Sequence, residues 1–75
     1  SEAVAVSIRG DPNNEVRIST VFLGTDHGVR GRLELFETMV FGPCPFDQHC
    51  ERYATREQAK IGHAYIVARV EASLA

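Results

Sequence analysis

His63 and Glu37 have the strongest claim to chemistry in this chain, because each is an ionisable group set in an apolar pattern. At about 100° per residue, residues 55–74 place His63 in the middle of a helical face made by Ala59, Gly62, Ile66 and Val70. In the alternating run 33–41, Glu37 shares a side with Leu35, Met39 and Phe41. A helix packed across a sheet is expected to bring these faces together, so that the imidazole and the carboxylate satisfy each other by a charge-assisted hydrogen bond. Such a pair reads either as a polar strut that fixes register or as an acid/base pair facing a ligand.

Other residues could complete a ligand site. Asp26 and His27 lie in a glycine-flanked stretch, 24–31, whose tip could fold over the sheet, and histidine titrates near neutral pH; the plainer reading is turn chemistry with a solvated ring. Arg52, Arg56 and Lys60 gather at a helix start, where the macrodipole is already positive. Backbone amides with Arg52 and Arg56, aided by Arg30 and Arg32, would hold a phosphate or carboxylate there, unless Glu51, Glu57 and solvent balance the charge. Cys44, His49 and Cys50 are metal-ligand types, but the C-x5-C spacing lacks the close pairs of zinc modules, so neither metal nor other cofactor is expected. The chain has no Ser-His-Asp order, P-loop, dinucleotide fingerprint or HExxH. An enzyme built on Asp26, His27, Glu37 and His63 therefore ranks third among the functional readings.

These side chains must be positioned by a small domain. The 75 residues, 44% hydrophobic and 24% charged, suffice for one folded unit with a modest core. A net charge of -2 offers no general attraction to a polyanion, which disfavours nucleic acid as a partner. No apolar stretch reaches membrane-spanning length, the first residues lack the pattern of a signal peptide, and two cysteines are too few for a disulfide scaffold. Free thiols and a cytoplasmic location are expected.

The expected fold is α+β: a mainly antiparallel sheet of three or four strands with one C-terminal helix packed on one face. Within a single domain, 1–75, residues 1–15 form an N-terminal strand and extension, 16–54 the sheet and 55–74 the helix. Val4, Val6 and Ile8 alternate in a first strand, ended by the turn residues Asp11-Pro12-Asn13-Asn14. Residues 16–23 and 32–41 are the second and third strands, joined by 24–31, a connection longer than a tight hairpin needs. Gly42-Pro43-Cys44-Pro45 stops the third strand, and 51–54 makes a short fourth. Thr55 and Gln58 fit a capping box at the helix start.

Both sides of the third strand are apolar, with Phe36 and Val40 opposite Leu33, Leu35, Met39 and Phe41, whereas one helix covers one face. The helix has a second stripe, Ile61, Tyr65, Ala68 and Ala72, away from His63. Phe36, Val40, Ile61 and Tyr65 are therefore the expected partner interface, in a symmetric dimer or with another chain.

The string Ser19-Thr20-Val21-Phe22-Leu23-Gly24-Thr25-Asp26-His27 and the string Leu35-Phe36-Glu37-Thr38-Met39-Val40-Phe41-Gly42, with Arg52-Tyr53-Ala54-Thr55 and Gly62-His63, resemble a group of small uncharacterised proteins encoded by bacteriophages and prophages. The resemblance spans residues 16–70 and leaves 1–15 outside it. It implies no catalytic residue. What it implies is context, since small phage accessory proteins act on host systems by binding a host protein or sequestering a small molecule. The leading expectation is a non-enzymatic accessory protein that binds a host macromolecule, such as an inhibitor of a bacterial defence or regulatory complex. The alternative is a module that captures a nucleotide-like anion beside Arg52, Arg56, His27 and His63.

Overall fold

Four β-rich runs and one helix-forming run give the order β1 (Glu2–Arg9), β2 (Val16–Gly28), β3 (Gly31–Phe41), β4 (Cys50–Tyr53) and α1 (Arg56–Leu74). The structure, a computed structural model, describes residues 2–28 and 31–75, with the backbone alone for 26–28 and 31–33. The strands form one antiparallel meander in the order β1-β2-β3-β4, so the α+β architecture expected from the sequence is the one present. Thr55 caps α1: its hydroxyl accepts from the Gln58 amide at 3.0 Å. Gln58 reaches back as in a capping box, although its side-chain oxygen meets the Ala54 amide rather than that of Thr55.

Of residues 24–31, expected as a loop, 24–28 and 31 are strand and 29–30 lie outside the described residues. The β2/β3 ladder continues through Thr25↔Glu34 to Gly28↔Gly31. Turn-forming residue types lose here to main-chain pairing, and the register shift between Phe22 and Gly24 is absorbed by Gly24 at φ 141°, a conformation that side-chain-bearing residues avoid. β1 pairs with β2 only as far as Phe22, and β4 with β3 only from Phe36. Beyond these points β2 and β3 pair with each other alone, as a ribbon that helps make the molecule 45 Å long but 18 and 16 Å across.

Alternation divides the sheet into two faces. Val16, Ile18 and Thr20 of β2 and Phe36, Thr38 and Val40 of β3 are fully buried beneath Ala59, His63, Ile66, Val67 and Val70 of α1. Cys44 and Phe46 from the connection after β3 close one end of this core. Phe36 and Val40, expected at a partner interface, are thus core residues. The helix lies on their side because the opposite side carries Arg17 and Glu37, whose charges a packed helix would have to desolvate.

Candidate functional site

His63 sits between strands rather than beside a carboxylate. It is 7% exposed, with Nε2 2.8 Å from Ser7 Oγ and Nδ1 2.7 Å from Thr20 Oγ1, and Thr20 in turn bonds the Thr38 hydroxyl. Ser7, Thr20 and Thr38 stand at helix-facing positions of β1, β2 and β3, so three small hydroxyls line the floor under the imidazole. Either neutral tautomer completes the chain. With Nδ1 protonated, His63 donates to Thr20 and accepts from Ser7; with Nε2 protonated, it donates to Ser7 and accepts from Thr20. Burial lowers the His63 pKa below its ordinary 6.5, and the Arg9 guanidinium adds to this, so the uncharged ring fits the site.

The expected His63–Glu37 pair does not form. Glu37 points to the opposite face, where its carboxylate accepts from Arg52 Nε at 3.0 Å across the β3/β4 pairing. Its neighbours Leu35, Met39 and Phe41 share that face as expected, but the helix does not cover it. Arg52 and Arg56, expected to share an anion site, are likewise divided by the sheet. Arg56 stands on the helix side, 3.6 Å from Glu2 and stacked 5.4 Å from the Phe36 ring centroid. Each guanidinium already has a carboxylate, which answers the unfavourable charge at the helix start without a bound anion. The side chains of Asp26 and His27 lie outside the described residues, as does that of Arg32.

Where Ser7, His63 and Thr20 meet, the order hydroxyl, imidazole, orienting group matches that of a hydrolytic triad, but a threonine occupies the place of the carboxylate. An imidazolium formed there would have Arg9 nearby and no negative partner among the described residues. The arrangement can hold β1, β2, β3 and α1 in register. It is poorly built to carry a proton.

A different place in the fold has the shape of a binding site. Between α1 and β4 runs an apolar cleft of about 450 Å³ lined by Glu51, Tyr53, Gln58, Ile61, Gly62, Tyr65 and Ile66. Gly62 makes its inner wall possible: a Cβ at this position would lie 2.3 Å from the Tyr53 hydroxyl, so the phenol rests directly on the helix backbone. The glycine costs about 1 kcal/mol of helix propensity relative to alanine and is explained by this close approach. The Tyr53 hydroxyl is buried with no hydrogen-bond partner. At the other end the cleft meets a second hollow bounded by Phe46, His49, Glu51 and Arg69. Arg69 stacks 5.5 Å from the Phe46 centroid and donates to the Tyr65 hydroxyl at 2.9 Å, while His49 Nε2 and Glu51 are 3.0 Å apart. The exposed stripe of Ile61 and Tyr65, expected as interface, forms the outer lip, at 65% and 59% exposure. In the sequence Tyr53 was named only as part of the resemblance, and Gly62 there and as a member of the His63 face, neither as part of a binding site; a glycine on the buried face of a strong helix is the signal that could have marked them.

Cys50 and Cys44 are free thiols, and among the described residues no His/Cys/Asp/Glu group is placed to hold a metal. Partial desolvation and the neighbouring Glu37 carboxylate push the Cys50 thiol pKa up, although the thiol itself is exposed. No helix of the described residues is long and apolar enough to cross a membrane. In comparisons with known proteins, no family model, no curated protein and no solved structure matches the chain. Function therefore rests on the site itself.

Proposed function

We propose that this chain is a non-enzymatic binding module, and that the cleft between α1 and β4 receives an apolar or aromatic side chain of a partner protein. The observation that carries this reading is the cleft wall: Tyr53, Ile61, Tyr65 and Ile66 leave an apolar hollow open to the surface. Burying an aromatic anchor in such a hollow is how small interfaces gain most of their affinity, and Arg69, Glu51 and His49 supply a polar rim. The resemblance to phage-encoded proteins makes a bacterial host protein the partner we favour, with inhibition as the outcome. The hydroxyl-only surroundings of His63 support a structural role for that residue and weigh against catalysis. The separation of Arg52 from Arg56 weighs against a nucleotide-like ligand held by both.

Capture from bacterial lysate, with bound proteins identified by mass spectrometry, tests the reading. Ile61→Glu places a charge on the lip at an exposed helix position and should weaken capture at least tenfold while leaving the circular dichroism and melting temperature of the fold unchanged. Equal capture by the wild type and Ile61→Glu would remove the cleft as the binding surface.

A further inference from the structure

The open face of the sheet is organised in rows. Ile8, Arg17 and Phe41 form one row, Val6, Ser19, Met39 and Cys50 the next, and Ala3, Val21, Glu37 and Arg52 the third. Val6, Ile8 and Phe41 are 45%, 45% and 46% exposed, with Leu23 and half-buried Val21, Leu35 and Met39 continuing the same surface. We propose that this face packs against the same face of a second copy of the chain, about a two-fold axis that runs along the middle row.

Area supports a second copy as the occupant. Three strands of about eight residues and the four-residue β4, at about 4.8 Å spacing and about 3.3 Å per residue, give a face of roughly 450 Å², so two copies would remove roughly 900 Å², the size of a small, reversible interface. Charge selects the axis. Arg17 has no ion-pair partner among the described residues, whereas Glu37 stands on the neighbouring strand two rows away. A two-fold along the row of Ser19 and Met39 exchanges the first and third rows. It sets Arg17 of each copy beside Glu37 of the other, and the exchange is reciprocal, as a closed two-fold interface requires. An axis parallel to the strands instead keeps each row over itself, so that Arg17 meets an apolar row and Glu37 gains no new cation. The dimer leaves the α1/β4 cleft uncovered, so it stands or falls independently of the binding role proposed above.

The axis has a chemical signature. Residues of the middle row face their own copies, which brings the two Cys50 thiols near each other, whereas an axis along the strands places Cys50 opposite Val6 at the far edge. In a Cys44→Ala background, a short bismaleimide should therefore join two chains through Cys50, and the product should vanish in the Cys44→Ala/Cys50→Ala protein. Sedimentation at micromolar concentration should show twice the monomer mass. Met39→Lys and Arg17→Glu should each raise the dimer dissociation constant at least tenfold with the circular dichroism of the fold retained, and both should leave capture through the cleft intact. A monomer at high micromolar concentration overturns the proposal. So does a dimer indifferent to Met39→Lys, which points to pairing along the free edge of β1, or a Met39-dependent dimer that Cys50 does not cross-link. A monomer whose capture of a bacterial protein is lost in Met39→Lys assigns the face to another partner and also overturns it.

Discussion

The two faces of one sheet contain similar numbers of large apolar side chains and meet opposite fates. On the covered face, Thr20, Thr38, Ser7 and His63 bond one another, the Tyr53 hydroxyl alone is buried without a partner among the described residues, and no charged group is buried there among them. On the open face the apolar groups are interrupted by Arg17 and by the Glu37–Arg52 ion pair, and Val6, Ile8 and Phe41 remain nearly half exposed. Apolar content alone does not decide which side of a small sheet becomes the core. The cost of desolvating charge does, because an ion pair moved under a helix loses more hydration than its mutual attraction restores.

The contrast between the faces is greatest at a pair of isoleucines. Ile18 and Ile8 have the same side chain on opposite faces, at 0% and 45% exposure. Ile18→Ala should cost about 2–5 kcal/mol through lost burial and a cavity, whereas Ile8→Ala should cost less than about 1 kcal/mol when unfolding is read at dilution. Similar losses in urea titrations of the two variants would show that the open face carries the fold as much as the covered one.

A smaller effect is expected at His63. His63→Ala strands the hydroxyls of Ser7 and Thr20 and should cost about 1–3 kcal/mol, while Glu37→Gln on the other face should cost well under about 1 kcal/mol. The pH dependence has a defined sign. The folded pKa of His63 is depressed, so the unfolded chain binds the proton more readily, and the stability this residue supports is complete above pH 6.5 and falls as the pH drops from there toward the folded value. Melting curves of the wild type and His63→Gln should converge as the pH falls through that window. Parallel curves would mean that the ring is not buried uncharged.

The smallest effect belongs to Tyr53, whose hydroxyl is buried without a partner. Tyr53→Phe should be neutral or stabilising by up to about 1 kcal/mol, since it removes an unsatisfied donor and leaves the ring against Gly62. A clear loss of stability would show that the hydroxyl is hydrogen-bonded after all.

Local patterns were enough for much of this molecule. The capping residues Thr55 and Gln58, the face containing Ala59, His63, Ile66 and Val70, the alternation of 33–41 and the prolines that end β3 are all short-range, and the structure has them where those patterns put them. Residues 24–31 misled because Gly24, Asp26 and Gly28 are turn-forming types, and local preference carries no information about a partner strand that offers a complete ladder. The hydroxyls of Ser7, Thr20 and Thr38 were visible at inward positions, but nothing local linked them to a histidine on a helix more than twenty residues further on.

What the sequence by itself determined is which side chains share a face, because that follows from the 3.6 and 2.0 residue periods of helix and strand. Which of two apolar sheet faces the helix would cover, that His63 would meet hydroxyls and Glu37 an arginine, and that Tyr53 would close a cleft on Gly62 were decided only by tertiary structure. The periods leave the two faces equivalent, and the choice between them rests on the cost of burying Arg17, Glu37 and Arg52, a sum over charges that the fold first brings together.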